Sequence, residues 1–232
     1  MPSRLLILAC ICATPFLVTP SVATETAFPL PDQNLVSRAH DFVTVNHIHG
    51  VNYGDAKDLG GAAIPALEQY LQMEKMKRHW PNIVTTIAYI GDPESYAILD
   101  HFIHGRFSGE VDLQTYQALI VAQSVLGHVG DPAIEAELLA GTDPAHWAIL
   151  PWTYQHYNGA LLQLAWSKLT INALAYTATP AAETKLLTLS SNPHHSRQMS
   201  NITEGLGRIP EVREAGLDSY ERGRDQLRAQ AW

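Results

Sequence analysis

The sequence predicts an all-α protein, an α-solenoid of stacked antiparallel helix pairs with about four units and an N-terminal half-unit. Three observations lead there. IAYIGDP at 87–93 and LGHVGDP at 126–132 are near copies, 39 residues apart. Apolar residues on either side of each copy recur at spacings of three and four, the period of one helical face. A leucine, Leu99 or Leu138, stands twelve residues after the first position of each copy. Units of this size cannot bury their apolar faces alone, and stacking gives them one continuous core.

In chain order, residues 1–23 read as a secretory signal peptide: Arg4, an apolar run from Leu5 to Val18, and Ser21-Val22-Ala23 as the cleavage pattern. Pro15 and Pro20 interrupt that run, which is shorter than the ~20 apolar residues of a membrane span. No integral span is expected after cleavage, and the destination is the periplasm or the medium. Both cysteines, Cys10 and Cys12, fall in this segment. The rest of the chain therefore has no disulfide, thiolate ligand or cysteine nucleophile. Residues 24–33 read as a flexible N-terminal segment, and a first helix is expected over about 34–46, opening a domain that runs to 232.

LGGAAIPALEQYL at 59–71 is the half-unit, with Ile64, Leu67 and Leu71 on its apolar face. In the first full unit, Ile83, Ile87 and Ile90 form the face of one helix, and Tyr96, Leu99 and Ile103 that of the next. Between them Gly91 suits the left-handed residue that ends a helix, Asp92 the cap of the following one, and Pro93 its first turn. Gly130, Asp131 and Pro132 repeat this logic between Tyr116/Ile120 and Ile134/Leu138. These six residues are read as structural corners. LAYTATP at 174–180 is a degenerate third copy, with Thr179 as cap and Leu186 as its leucine. LGRIPEV at 206–212 is a fourth, with the turn shortened to Pro210 and Leu217 one residue early. The longest interval, between the second and third copies, contains an aromatic insertion at 141–159.

The corner pattern followed by a leucine-ending helix resembles the HEAT-like repeats also found in bilin lyases. VNYGDAKDLGGAAIPALEQYL followed by WPNIVTTIAYIGDP resembles the opening of exported bacterial proteins described as HEAT-repeat containing. The resemblance spans roughly residues 50–225 and implies the fold, since such repeats scaffold unrelated activities. HEAT-like di-iron enzymes use His-Glu dipeptides, and this chain has none. Bilin lyases act inside the cell, whereas this chain carries an export pattern.

Eight more acidic than basic residues, with no Lys/Arg run, argue against nucleic acid as partner. No HExxH, nucleophile elbow, phosphate-cradling loop or dinucleotide fingerprint occurs. His101 and His104, three apart, would share a helical face and could face one metal ion beside Asp100, but they read better as polar positions flanking Phe102-Ile103. No cofactor and no metal are expected. The leading expectation is an exported, non-enzymatic protein that binds another protein or a peptide. Its contact candidates are Trp152, Tyr154, His156 and Tyr157 in the insertion, with Trp147 expected to be buried, and His47, His49 and Tyr53 in the loop after the first helix. The alternative is a metal-binding protein or hydrolytic enzyme that uses the His-rich loop around 47–55.

Overall fold

The computed structural model describes residues 33–47 and 50–230. The expected signal peptide over 1–23, residues 24–32 and His49 lie outside them, and Gln33 is already helical. Eleven α-helices make up most of the described chain, so the protein is all-α. They are α1 (Gln33–Thr44), α2 (Tyr53–Leu59), α3 (Ile64–Gln72), α4 (Trp80–Ile90), α5 (Ser95–Asp100), α6 (Leu113–Val125), α7 (Pro132–Gly141), α8 (Gly159–Thr177), α9 (Pro180–Ser190), α10 (Met199–Ala215) and α11 (Leu217–Gln230). No helix among the described residues is long and apolar enough to cross a membrane.

The core runs through α4, α6, α8 and α10, each packed against the next. Every residue of α4 from Ile83 to Ile90 is buried, so this helix is enclosed on all sides. The shorter α5, α7 and α9 bury one stripe each. Leu99, Leu138 and Leu186, the three aligned leucines, are all fully buried there. A leucine taken wholly out of water stabilises a fold by about 1.5–3 kcal/mol. Ile64, Leu67 and Leu71 are buried likewise on α3.

Three helix junctions are built alike, although at the first Pro93 lies in a turn ahead of α5, whose N-cap position is Glu94 rather than the expected Asp92. Gly91 is left-handed (φ 61°) and its N–H donates to Ile87 O, closing α4. Asp92 then accepts from Glu94 N at 3.1 Å, while its own N–H donates to Ser95 Oγ. Gly130 is left-handed at φ 78°, and Asp131 Oδ1 accepts from Ala133 N at 2.7 Å, with Pro132 opening α7. At the third junction a non-glycine, Ala178, takes the left-handed position (φ 51°). Thr179 caps α9 by accepting from Ala182 N.

The fourth expected junction is not there. Pro210 lies inside α10, which continues to Ala215, and the left-handed residue is Gly216 (φ 76°). LGRIPEV has no Asp or Thr before its proline to cap a new helix, and its one glycine, Gly207, stands away from the corner position. Ile209 and Val212, both buried, hold the same helical face on either side of the proline.

The insertion folds inward. Asp143 caps a 3-10 turn over Pro144–Ile149, and the buried Trp147 donates from Nε1 to Gly141 O. Strand β1 (Gly109–Glu110) then pairs in parallel with strand β2 (Trp152–Thr153), Gly109 opposite Trp152. This pairing turns Trp152 into the core, corrects its expected exposure, and sets it against Trp166 at 4.7 Å. Its Nε1 donates to Ile103 O, within a π-helical turn over His101–Gly105. Tyr154 is buried as well, stacked at 4.1 Å on Tyr116. Two of the four contact candidates in this stretch are thus core residues. His156 is exposed and Tyr157 half-buried.

Candidate binding surface

The loop after α1 does not assemble a site from the residues expected there. His47 Nε2 lies 2.8 Å from Phe42 O, and its ring packs edge-on to Phe42. Tyr53 turns the other way: it starts α2, is buried, and packs at 5.0 Å on Tyr89. His101 and His104 diverge too. A π turn advances more residues per turn than an α-helix, so positions three apart no longer share a face. His104 stacks on Trp147, and burial pulls its pKa below the ordinary imidazole value against the opposing pull of Asp100 and Glu137. No group of three His, Cys, Asp or Glu side chains that could hold a metal ion exists among the described residues.

Tyr53 belongs to a row of ring-bearing side chains, packed at tilted angles, that crosses the ends of the central helices. Tyr89 packs on His128 at 4.9 Å, His128 on Tyr176 at 4.1 Å, and the Arg208 guanidinium lies 4.6 Å over Tyr176. Tyr89, His128 and Tyr176 each stand two residues before the left-handed residue of their corner, and Arg208 holds the matching place in LGRIPEV. This row escaped the sequence reading. The signal was present at one column of the aligned copies, occupied by ring-bearing or planar side chains.

Helix α11 covers the row. Glu221 Oε1 accepts from Arg224 Nη1 at 3.0 Å and faces His128 Nε2 at 3.4 Å, and Arg224 also donates to Tyr176 Oη. Asp225 Oδ2 accepts from Tyr53 N and Gly54 N, at 2.8 and 3.3 Å. It thereby satisfies free N–H groups at the start of α2. Burial works against the charged form of Glu221, but the His128 and Arg224 contacts outweigh it and hold its pKa below the ordinary carboxylate value. Burial, with Asp218 and Glu221 nearby, pushes the Tyr53 phenol up to about 12. The Tyr89 and Tyr176 phenols are raised as well, burial being the largest cause in each. All three remain neutral near pH 7. The side chains of His128 and Glu221 are 3% and 1% exposed, so this pair touches no solvent that could carry a substrate.

Beside the covered row lies an open groove of about 540 Å³. Its walls are the corner Gly130–Pro132, the end of α8 at Tyr176–Thr177, and the α10–α11 junction at Val212–Leu217. Ile134 and Val212 contribute apolar floor, and Glu135 and Arg213 the charged rim. Arg213 is held in place: it donates to Ala178 O and Thr179 O, the carbonyls of the α8–α9 corner, and pairs with Glu183. Glu135 is held by Thr179 Oγ1. A concave, largely apolar site with a few fixed polar groups, of this size, suits a ligand or a few peptide side chains.

No protein-family model, no curated protein and no solved structure matches the chain.

Proposed function

We propose that the protein is an exported, non-enzymatic α-solenoid of HEAT-like units that binds another protein or a peptide. The observation that carries the reading is the groove between the second and third corners. It is open, apolar at its floor and rimmed by charges already locked by their own partners. Such a rim loses little side-chain entropy on binding, which favours recognition. The central series α4, α6, α8 and α10, the shared corner construction, and the aligned leucines support the repeat reading. Of the titratable groups that line the groove, Asp131, Glu135 and Arg213 are engaged with backbone or side-chain partners, and the nearby His128 and Glu221 are enclosed and paired, an arrangement that favours binding over turnover.

A photo-crosslinking residue placed at Thr177, in the groove wall, tests the reading in the native compartment against one at His156, the exposed tip of the insertion, and one at Thr188, exposed on α9. A discrete protein or peptide adduct at Thr177, and none at Thr188, is expected. Adducts at His156 alone would move the contact to the insertion. Equal labelling at all three positions would overturn the proposal.

A further inference from the structure

A second pocket, of about 150 Å³, lies between α3 and α5. Leu71, Ile98 and Phe102 line it as apolar walls, Gln72 and His101 stand at its edge, and Arg106 contributes the cation. The π turn ahead of Arg106 directs its guanidinium over three rings, 4.4 Å from Trp80, 5.2 Å from Phe107 and 5.5 Å from Phe102. No carboxylate stands at ion-pair distance from it, Glu74 acting on it only from farther away, and no carbonyl accepts from it among the described residues. Its Nη1 is buried with no partner, and so is Nε1 of Trp80 beneath it. The arginines of α10 and α11, by contrast, all sit on carboxylates. A buried donor left without an acceptor costs about 1–3 kcal/mol, more when it is charged. What the guanidinium lacks is a direct acceptor.

We propose that this pocket binds a carboxylate with a short apolar tail, the carboxylate on Arg106 and the tail against Leu71, Ile98 and Phe102. A cavity of ~150 Å³ accommodates a benzene-sized group, which sets the tail at about five or six carbons. One guanidinium supplies one positive charge, and Glu68, exposed at the rim, disfavours anions of higher charge such as phosphate. Planar guanidinium matches planar carboxylate through two parallel hydrogen bonds. The same chemistry is offered by a free branched-chain acid and by the C-terminal residue of a peptide. The site stands apart from the corner groove and does not depend on what binds there.

The test uses the full chain and four probes: 4-methylpentanoate, its neutral amide, a tripeptide ending in a free Leu carboxylate, and the same tripeptide amidated. Binding is read by calorimetry and by the Arg106 Nε resonance in arginine-labelled protein. Each acid is expected to bind at least tenfold more tightly than its amide, and Arg106→Met to lose that tenfold. Because Arg106 packs on three rings, Ala97→Leu provides a second route. Ala97 lines the pocket and is exposed, so the larger side chain narrows the space while leaving the guanidinium untouched. It is expected to lose acid binding by at least tenfold with an unchanged melting profile. Tighter binding of the tripeptide identifies a chain terminus as the source, and tighter binding of the free acid a metabolite. Equal affinity for acid and amide, full binding by Ala97→Leu, or no saturation by either acid below about 10 mM would overturn the site.

Discussion

Gly91 and Gly130 occupy the same place in two corners, yet their surroundings differ. Both have positive φ, so any side chain there carries a backbone cost of about 1–2 kcal/mol. A Cβ at Gly91 would also meet Val129 O at 3.3 Å and Lys57 Nζ at 3.4 Å, whereas one at Gly130 would meet nothing within 4 Å. Gly91→Ala is therefore expected to lower stability by more than Gly130→Ala, the latter showing about the backbone cost alone. Urea denaturation of the two variants checks this, and equal losses would mean that the carbonyl gives way. These corners were legible in the sequence because their chemistry is local: a left-handed residue, a cap and a proline within four positions. Trp152 was not legible. Its burial depends on Ile103 O and on a strand partner at Gly109, more than forty residues back, and no local pattern encodes either.

At the scale of an element, helix existence was readable from spacing, and the end of α10 was not. Apolar periodicity continues through Pro210, and packing of Ile209 and Val212 overrides the proline's preference to stop a helix. The cost is real: Pro210 has no N–H for Leu206 O, and an interior proline disfavours a helix by ~3 kcal/mol. Pro210 is exposed, so Pro210→Ala should stabilise the protein by roughly 1–3 kcal/mol, seen as a higher melting temperature. An unchanged or lower one would mean that Pro210 helps to seat α10 on α8. Helix α11 makes a pH-dependent contribution through Glu221. Its pKa is lower in the folded chain than the ordinary 4.5, so its stabilisation is complete above that value and lost as pH falls through the folded pKa. Glu221→Gln removes this component. The stability difference between wild type and variant should shrink below pH 4.5 in denaturation curves collected across pH. A constant difference would show that the His128 and Arg224 contacts do not favour the charged carboxylate.

Across the whole molecule the most informative contact joins α11 to α2. Asp225 accepts from the first N–H groups of a helix that begins 172 residues earlier. Asp225→Ala should destabilise both ends together, with faster amide exchange in α2 as well as in α11, while the exchange of α6 changes little. Acceleration confined to α11 would show that α2 holds its start by other means. This return of the chain end was absent from the sequence reading because α11 is largely polar, and its buried acids gain their meaning only from partners on α2 and at His128. The row of Tyr89, His128 and Tyr176 was half-legible: the alignment of the copies contains it, but only the packed structure shows that the aligned positions touch.

The Asp225 contact also has a consequence in time. Synthesis runs from the N-terminus at about 5–20 residues per second. The N–H groups of Tyr53 and Gly54 therefore wait on the order of ten to thirty seconds before the carboxylate that accepts from them has been made. Until then the α11 side of His128 is uncovered and the first N–H groups of α2 must be satisfied by water.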